Sequence, residues 1–525
     1  MLQTLAAIGL PFVPGWETLR PFAPELWLIA TIVAVLFTPF FTRKSNFACA
    51  GVALVGLVLA LVATFVVGEG SGVVGQHLRG MLVLDPLAVF WKGMLLMFTI
   101  GIVLMWGVTT AWTMREGDAA EFFTLLLGAT LGLSLMTQTT NLLMLVMGLE
   151  LASFASYVLA GFRKTERVGA EASLKYVIFG AAASSVMIYG LSLLYGIAGS
   201  LQFEVVADHL AREGVGALGA VALACVVVGI AFKVSAVPVH LWCPDVFEGA
   251  SVEVSAFLSV ASKGAALILF LRLATLLAES MQYTGTALTT IAAVIGVLGV
   301  LTATVGNTSA FVQTNVKRLL AYSSIAQAGY MLCVLSLLVK HRSDVVTSAG
   351  AGLVLPEAAG ALLFYLAAYL FMNLGAFTVA AVVEAGGGKT LDDLAGLGTR
   401  SPVLAASMTA SMFSLVGLPP FAGFVAKINL MYVLGANGGW WWTLVVAIGV
   451  NTILSLYYYV KVVRVMYFEP TKTPAARPNL LGGALALACA AVMVTMLVGF
   501  GPLRDLTSHF GQVHVEEREA VAMEE

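Results

Sequence analysis

Stretches of about twenty apolar residues recur along this chain, each long enough to cross a hydrocarbon layer about 30 Å thick. Inside such a layer every backbone polar group must be satisfied by the protein, so only helices and closed barrels can span it. The runs are long and uniformly apolar, whereas barrel strands are short and alternate, and they therefore select an all-α membrane bundle. Composition agrees. Of 525 residues 60% are hydrophobic and 11% charged, against roughly 25% charged in soluble domains, and mean hydropathy is +0.95. A net charge of −2 gives no ground for nucleic acid as a partner.

Fourteen spans are expected, at about 24–42, 47–68, 85–112, 120–138, 140–162, 172–196, 216–249, 251–276, 285–306, 319–339, 351–384, 402–434, 440–463 and 479–501. The seventh, eleventh and twelfth exceed the length required, so they must tilt, break or protrude. The loop 196–215 carries a short amphipathic piece, LQFEVVADHLAREG, and the tail HVEEREAVAMEE is acidic and expected to be exposed. The N-terminal segment lacks a basic region ahead of an apolar stretch and does not read as a cleaved signal.

Basic residues set the orientation. Loops after odd-numbered spans hold thirteen (Arg43, Lys44, Arg115, Arg163, Lys164, Arg167, Lys317, Arg318, Lys389, Arg400, Arg464, Lys472 and Arg477), and the other side holds seven (Arg20, Arg79, Arg212, Lys340, Arg342, Arg504 and Arg518). The odd loops are therefore expected in the cytoplasm, with both termini outside.

Against this background the charges within spans stand out. A charged side chain at bilayer depth costs about 2.5–3.5 kcal/mol, so Glu150, Lys233, Lys263 and Lys427 together cost on the order of 10 kcal/mol unless paired or hydrated. Lys233 precedes Pro238 in FKVSAVPVHLW, and Lys427 follows Pro419 and Pro420 in SLVGLPPFAGFVAK. Proline removes a backbone donor and exposes carbonyls one turn back, Val416 in the case of Pro420, which brings polar backbone and water towards each lysine. Lys427 mirrors Lys233 in this reading. The two broken spans lie five apart, an odd number, so the units containing them have inverted topology, as in transporters whose breaks mark an ion path.

Glu150, near the middle of its span, suits either an acidic switching partner for a lysine on a neighbouring helix or a structural salt bridge; an anion that approaches and leaves changes how firmly a lysine holds its proton. Lys263 in SVASKGAALILF has small neighbours that leave room for water and suits a central relay. His240 suits either a proton relay, since imidazole titrates near about pH 6.5, or a helix cap. Lys175 in EASLKYVIFG suits proton uptake or a surface pair with Glu171, four residues before it. Asp245, Glu248 and Glu253 are expected to form a hydrated cluster, and Arg272 to meet carbonyls or headgroups at a span end. The five cysteines lack ligand spacing and read as small core residues. No nucleotide, iron–sulfur or flavin motif appears, so redox chemistry, if any, resides on other chains and no metal or cofactor is expected on this one.

The runs ELASFASYVLAGF, EASLKYVIFGAAASSVMIYGLSLLYG, VPVHLWCPDVFEGA, QTNVKRLLAYSSIAQAGYML and SLVGLPPFAGFVAKINL resemble the subunit N family of bacterial NADH-quinone oxidoreductase, respiratory complex I, over roughly residues 85–470. The resemblance implies an antiporter-like membrane subunit of a proton-translocating NADH:quinone reductase. NADH, FMN, iron–sulfur clusters and quinone would be bound by partner subunits, and a neighbouring antiporter-like subunit and small membrane subunits would be its contacts in the bacterial plasma membrane. It implies N-terminal helices over 24–112, inverted five-helix repeats over 120–276 and 285–463, a last helix over 479–501 and the acidic tail over 502–525. It carries the family's glutamate onto Glu150, its partner lysine onto Lys233, the central lysine onto Lys263 and the exit-side lysine onto Lys427, with Lys175 on the lysine of the EAALKYF-like motif. One sister subunit usually has glutamate where Lys427 stands, and another ends in a lateral helix with no counterpart here. Val239, Phe247 and Ser251 depart from the usual Phe, Tyr and Pro. Two other readings compete: a subunit of a multi-component Na⁺/H⁺ antiporter, which predicts Na⁺-dependent transport without redox partners, and a non-transporting scaffold of a hydrogenase-type complex.

Overall fold

A computed structural model describes residues 19–68, 75–78, 80–109, 114–163, 166–280, 285–338, 354–470 and 480–511. Lys164, Arg79, Lys340, Arg342, Lys472, Arg477, Arg518 and the acidic tail from 512 onward lie outside the described residues.

Helices α1 (Ala23–Phe41) and α2 (Asn46–Gly68) pack on each other and are followed by two short antiparallel strands, β1 (Gly75–His77) and β2 (Leu82–Leu84), an addition to the all-helical expectation. Then come α3 (Pro86–Val108), α4 (Asp118–Gln138), α5 (Leu142–Ala160), α6 (Arg167–Ala198) and α7 (Phe203–Glu213). The last is the expected amphipathic piece, burying Phe203, Val206, Ala207 and Leu210 along one stripe. Next are α8 (Ala217–Val234), α9 (Trp242–Gly249), α10 (Val252–Phe257), a π turn (Leu258–Ser262) and α11 (Lys263–Ser280). The remaining longer helices are α12 (Gly285–Ala310), α13 (Val316–Leu338), α14 (Val354–Ala385), α15 (Pro402–Val416), α16 (Ala422–Ala436), α17 (Trp441–Phe468), α18 (Leu480–Val498) and α19 (Phe500–Phe510), with a 3-10 turn (Leu391–Leu394) and a single helical turn (Leu397–Arg400) between α14 and α15.

Among the described residues thirteen helical segments are long and apolar enough to cross a membrane, and α15 and α16 are shorter apolar helices. Three segments form the centre: Val252–Leu277 is wholly enclosed by protein, and Val316–Leu337 and Pro356–Ala385 nearly so. The outer helices turn apolar side chains outward, as α6 does with Leu174, Ile178 and Phe179, a face suited to hydrocarbon. The helix expected at 479–501 stops at Val498, and the first part of the expected tail is instead α19, which packs on α14. Ser251 serves as N-cap in place of the usual proline, and the eighth span starts intact at Val252.

Candidate buried charge relay

Both expected breaks are present. Helix α8 stops at Val234 because Ser235 turns left-handed (φ 63°), and the N–H groups of Ser235 and Ala236 close back onto the carbonyls of Phe232 and Ala231, a common way of ending a helix. The Trp242 indole donates to the Phe232 carbonyl at 3.1 Å, and the Val237–Pro238 peptide is cis. Lys233 therefore occupies the last turn of a half-helix, where the dipole favours a cation. The second break starts at Gly417 (φ +88°). Its N–H and that of Leu418 return to the Phe413 carbonyl at 3.0 and 2.9 Å, which leaves the carbonyls of Leu415 and Val416 available.

Lys427 takes those carbonyls. Its Nζ donates to Leu415 O at 2.9 Å and Val416 O at 2.8 Å, and the ammonium stands 4.6 Å from the Tyr330 ring centroid. The expected opening at Val416 is real, but the buried lysine itself fills it. The mirror relation also needs correction: Lys233 lies before its break, at the end of α8, and Lys427 after its own, on α16. The common feature is an ammonium at the carbonyl end of a half-helix.

Glu150 and Lys233 are not in contact. Glu150 Oε1 and Lys233 Nζ are both buried without a hydrogen-bond partner, although the carboxylate is close enough to act on the lysine electrostatically. Lys263 directly follows the π turn, and such turns often mark functional positions. Its Nζ donates to Ser324 Oγ at 2.6 Å and stands 5.6 Å from the Phe247 ring centroid. The neighbouring small residues do not leave water space on that side: a Cβ on Gly264 would lie 2.1 Å from the Trp91 ring. His240 is buried, its Nδ1 is without a partner, and it lies within electrostatic reach of Lys263.

A polar row on α13, absent from the sequence expectations, bonds both to Lys263 and, through Gln327, to the Leu415 carbonyl. Ser324 holds Lys263, while its neighbour Ser323 pairs with the Tyr459 hydroxyl at 2.5 Å. Gln327, one turn on, donates to Tyr459 at 3.2 Å and to the Leu415 carbonyl at 3.0 Å, the acceptor it shares with Lys427. Tyr365 donates to Gln327 Oε1, and Tyr369 to the Ser259 carbonyl within the π turn. The available signal was YSSIAQAGY, with Ser323, Ser324 and Gln327 on one helical face of an apolar span.

Lys175 does not join this row. It pairs with Glu171 at 2.8 Å and Asp245 at 2.7 Å, and Arg318 binds Asp245 and Glu248, both at 2.8 Å. These groups are partly exposed, as expected, but Glu253 is not: it is fully buried and accepts from Thr109. Arg272 meets the expected carbonyl, Thr137 O at 2.9 Å, yet also makes a buried two-pronged pair with Asp85 at 2.7 and 3.0 Å. A second buried pair, Lys92–Glu25 at 2.9 Å, is completed by Ser134 and Gln138, each at 2.7 Å from Glu25. Asp85 and Glu25 begin their spans, where an acid reads as a boundary. Among the described residues no cluster of three or more His, Cys, Asp or Glu could hold a metal.

A helical membrane bundle with two interrupted helices and lysines at their breaks defines the antiporter-like class of ion-translocating proteins. The chain belongs to the transmembrane family described as NADH:quinone oxidoreductase/Mrp antiporter, whose signature matches residues 139–455, and within it to the subunit N relatives. NADH-quinone oxidoreductase subunit N 2 of Sorangium cellulosum is 38% identical over 516 residues, covering 94% of this chain and 97% of that protein. The subunit N of Rhodospirillum rubrum is 36% identical over 465 residues, covering 87% and 89%. A chain of respiratory complex I from Thermus thermophilus superposes with a TM-score of 0.74 at 29% identity, covering 92% of this chain and 99% of that one. A chain of the Mrp complex from Dietzia shares the fold, with a TM-score of 0.77 at 22% identity, covering 95% and 97%.

Proposed function

We propose that this chain is a proton-translocating membrane-arm subunit of a bacterial NADH-quinone oxidoreductase, driven by electron transfer on partner subunits that bind NADH, FMN, iron–sulfur clusters and quinone. The observation that carries the reading is the row from Lys263 through Ser324, Ser323, Tyr459 and Gln327 to the carbonyl that holds Lys427. It brings hydrogen bonds from both broken-helix units onto α13: Lys263 to Ser324 on one side, and Ser323 through Tyr459 and Gln327 to the Leu415 carbonyl beside Lys427 on the other, the two meeting at adjacent residues of one helix. In this reading Glu150 and Lys233 form the loading pair, Lys263 the central station and Lys427 the release station. His240 stands beside the centre, and Lys175 marks the proton-uptake side. Helices from 120 to 276 and from 285 to 463 act as inverted repeats within fourteen spans. The odd-numbered loops face the cytoplasm, both termini face outward, and the chain lies in the plasma membrane beside another antiporter-like subunit.

The test is proton uptake per electron pair in assembled complexes carrying Lys427→Ala or Lys427→Arg. Arginine keeps the charge but does not release its proton, and moving one charge against about 100 mV takes about 2.3 kcal/mol. Both variants should therefore lose this subunit's share of pumping. Normal pumping with arginine but not alanine would make Lys427 a fixed charge and overturn the relay.

A further inference from the structure

A half-open cavity of about 710 Å³ lies against α17, away from the lysine row. Its lower wall is a stripe on that helix, Ile453, Leu456, Tyr457 and Val460, all exposed and spaced at helical intervals that bring them to one face. Phe311 holds the Tyr457 ring edge-on at 5.1 Å between centroids, which makes that wall firm. Its upper wall carries two cations, Lys461 and Arg464, one turn apart on the same helix. Neither makes an ion pair among the described residues, whereas Arg318 and Arg163 do.

Depth decides what such a cavity meets. Trp440, Trp441 and Trp442 cluster at the start of α17, and tryptophans of this kind sit at the membrane–water boundary. Lys461 follows Trp441 by twenty residues, about 30 Å of helix at about 1.5 Å per residue, which matches the thickness of the hydrocarbon layer. The apolar stripe is therefore at acyl-chain depth, and Lys461 and Arg464 are at the level of lipid phosphates. Tyr467, one turn further, falls in the opposite aromatic belt. The same cavity is lined by two acids, Asp392 from the loop after α14 and Glu469 at the end of α17. Two cations beside two anions match a headgroup that carries both a phosphodiester and an ammonium. They do not match a purely anionic headgroup, which the acids would repel.

The geometry points to a binding site for a zwitterionic aminophospholipid, with its phosphate at Lys461 and Arg464, its ammonium towards Asp392 and Glu469, and an acyl chain along Ile453–Val460. The site is independent of the proton chemistry proposed above.

The experiment uses the chain in its native membrane assembly, reconstituted into phosphatidylglycerol vesicles that contain a small fraction of phosphatidylethanolamine. In one preparation the photoactivatable acyl chain is on the phosphatidylethanolamine, in a parallel one on the phosphatidylglycerol, and adducts are mapped by mass spectrometry. The ratio of phosphatidylethanolamine to phosphatidylglycerol adducts should be several-fold higher on 453–460 than on other labelled stretches. The double variant Lys461→Ala, Arg464→Ala should bring that ratio down to the average. An average ratio in the unmodified chain, absence of adducts on 453–460 from both probes, or an unchanged ratio in an assembled double variant would each overturn the site. If the double variant does not assemble, the unmodified chain alone decides.

Discussion

One carboxylate oxygen of the half-buried Glu150 (Oε1) and the buried Lys233 ammonium lie within electrostatic reach and make no hydrogen bond to each other or to any other group. A structural salt bridge would be closed, because an uncompensated buried charge costs several kcal/mol. An open pair is the arrangement expected of groups that alternate between joined and separated states. Glu150→Gln removes no hydrogen bond and should cost less than about 1 kcal/mol of stability, while proton uptake per electron pair should fall sharply. Measured side by side, yield of assembled complex and pumping ratio separate the two roles: lost assembly with a normal ratio in the remaining complex would make the glutamate structural. Lys427 is a different case, since its three donors already serve two carbonyls and lie over an aromatic ring. For that lysine, stability and function are coupled.

At the scale of elements, the break between α15 and α16 builds the lysine's acceptors. Gly417 permits the left-handed turn that ends α15, and a Cβ there would come within 3.0 Å of the Lys427 side chain. An alanine would have to hold a conformation that costs L-residues roughly 1–2 kcal/mol. Gly417→Ala should therefore lower the thermal midpoint of the purified assembly by an amount corresponding to at least about 1 kcal/mol, and should impair pumping by displacing the Leu415 and Val416 carbonyls. An unchanged midpoint would show that the turn relaxes without strain. The π turn before Lys263 does comparable work in the first half, shifting register so that Lys263 reaches Ser324 and the Ser259 carbonyl reaches Tyr369.

At the scale of the whole molecule, three enclosed segments carry most of the polar row, Tyr459 of α17 and the Leu415 carbonyl of α15 completing it, and the N-terminal helices are tied to this centre by charge. Asp85 at the head of α3 holds Arg272 of α11, and Glu25 of α1 joins Lys92 of α3 to Ser134 and Gln138 of α4. The bundle's orientation is set by loop charge. A cysteine placed at the exposed Glu116, after the third span, should resist an impermeant thiol reagent applied to intact cells, and one placed at Glu213 should react. The reverse pattern, read against the unmodified chain with its five native cysteines, would invert the topology.

Hydropathy and proline placement determined the span positions, the two breaks and the lysines beside them, because a membrane penalises charge and unsatisfied backbone so heavily that exceptions are visible in one dimension. The amphipathic helix α7 was equally legible from its periodicity. Burial of Glu253 and the pairs Asp85–Arg272 and Glu25–Lys92 were not legible, because an acid at the end of a span reads the same whether water or a distant helix meets it. Nor was the row through Ser323, Ser324, Gln327 and Tyr459. Serine, glutamine and tyrosine are cheap enough to bury that hydropathy barely registers them, and only the tertiary structure, which packs α11 on α13 and brings the Tyr459 side chain of α17 to it, gathers these groups from separate parts of the chain.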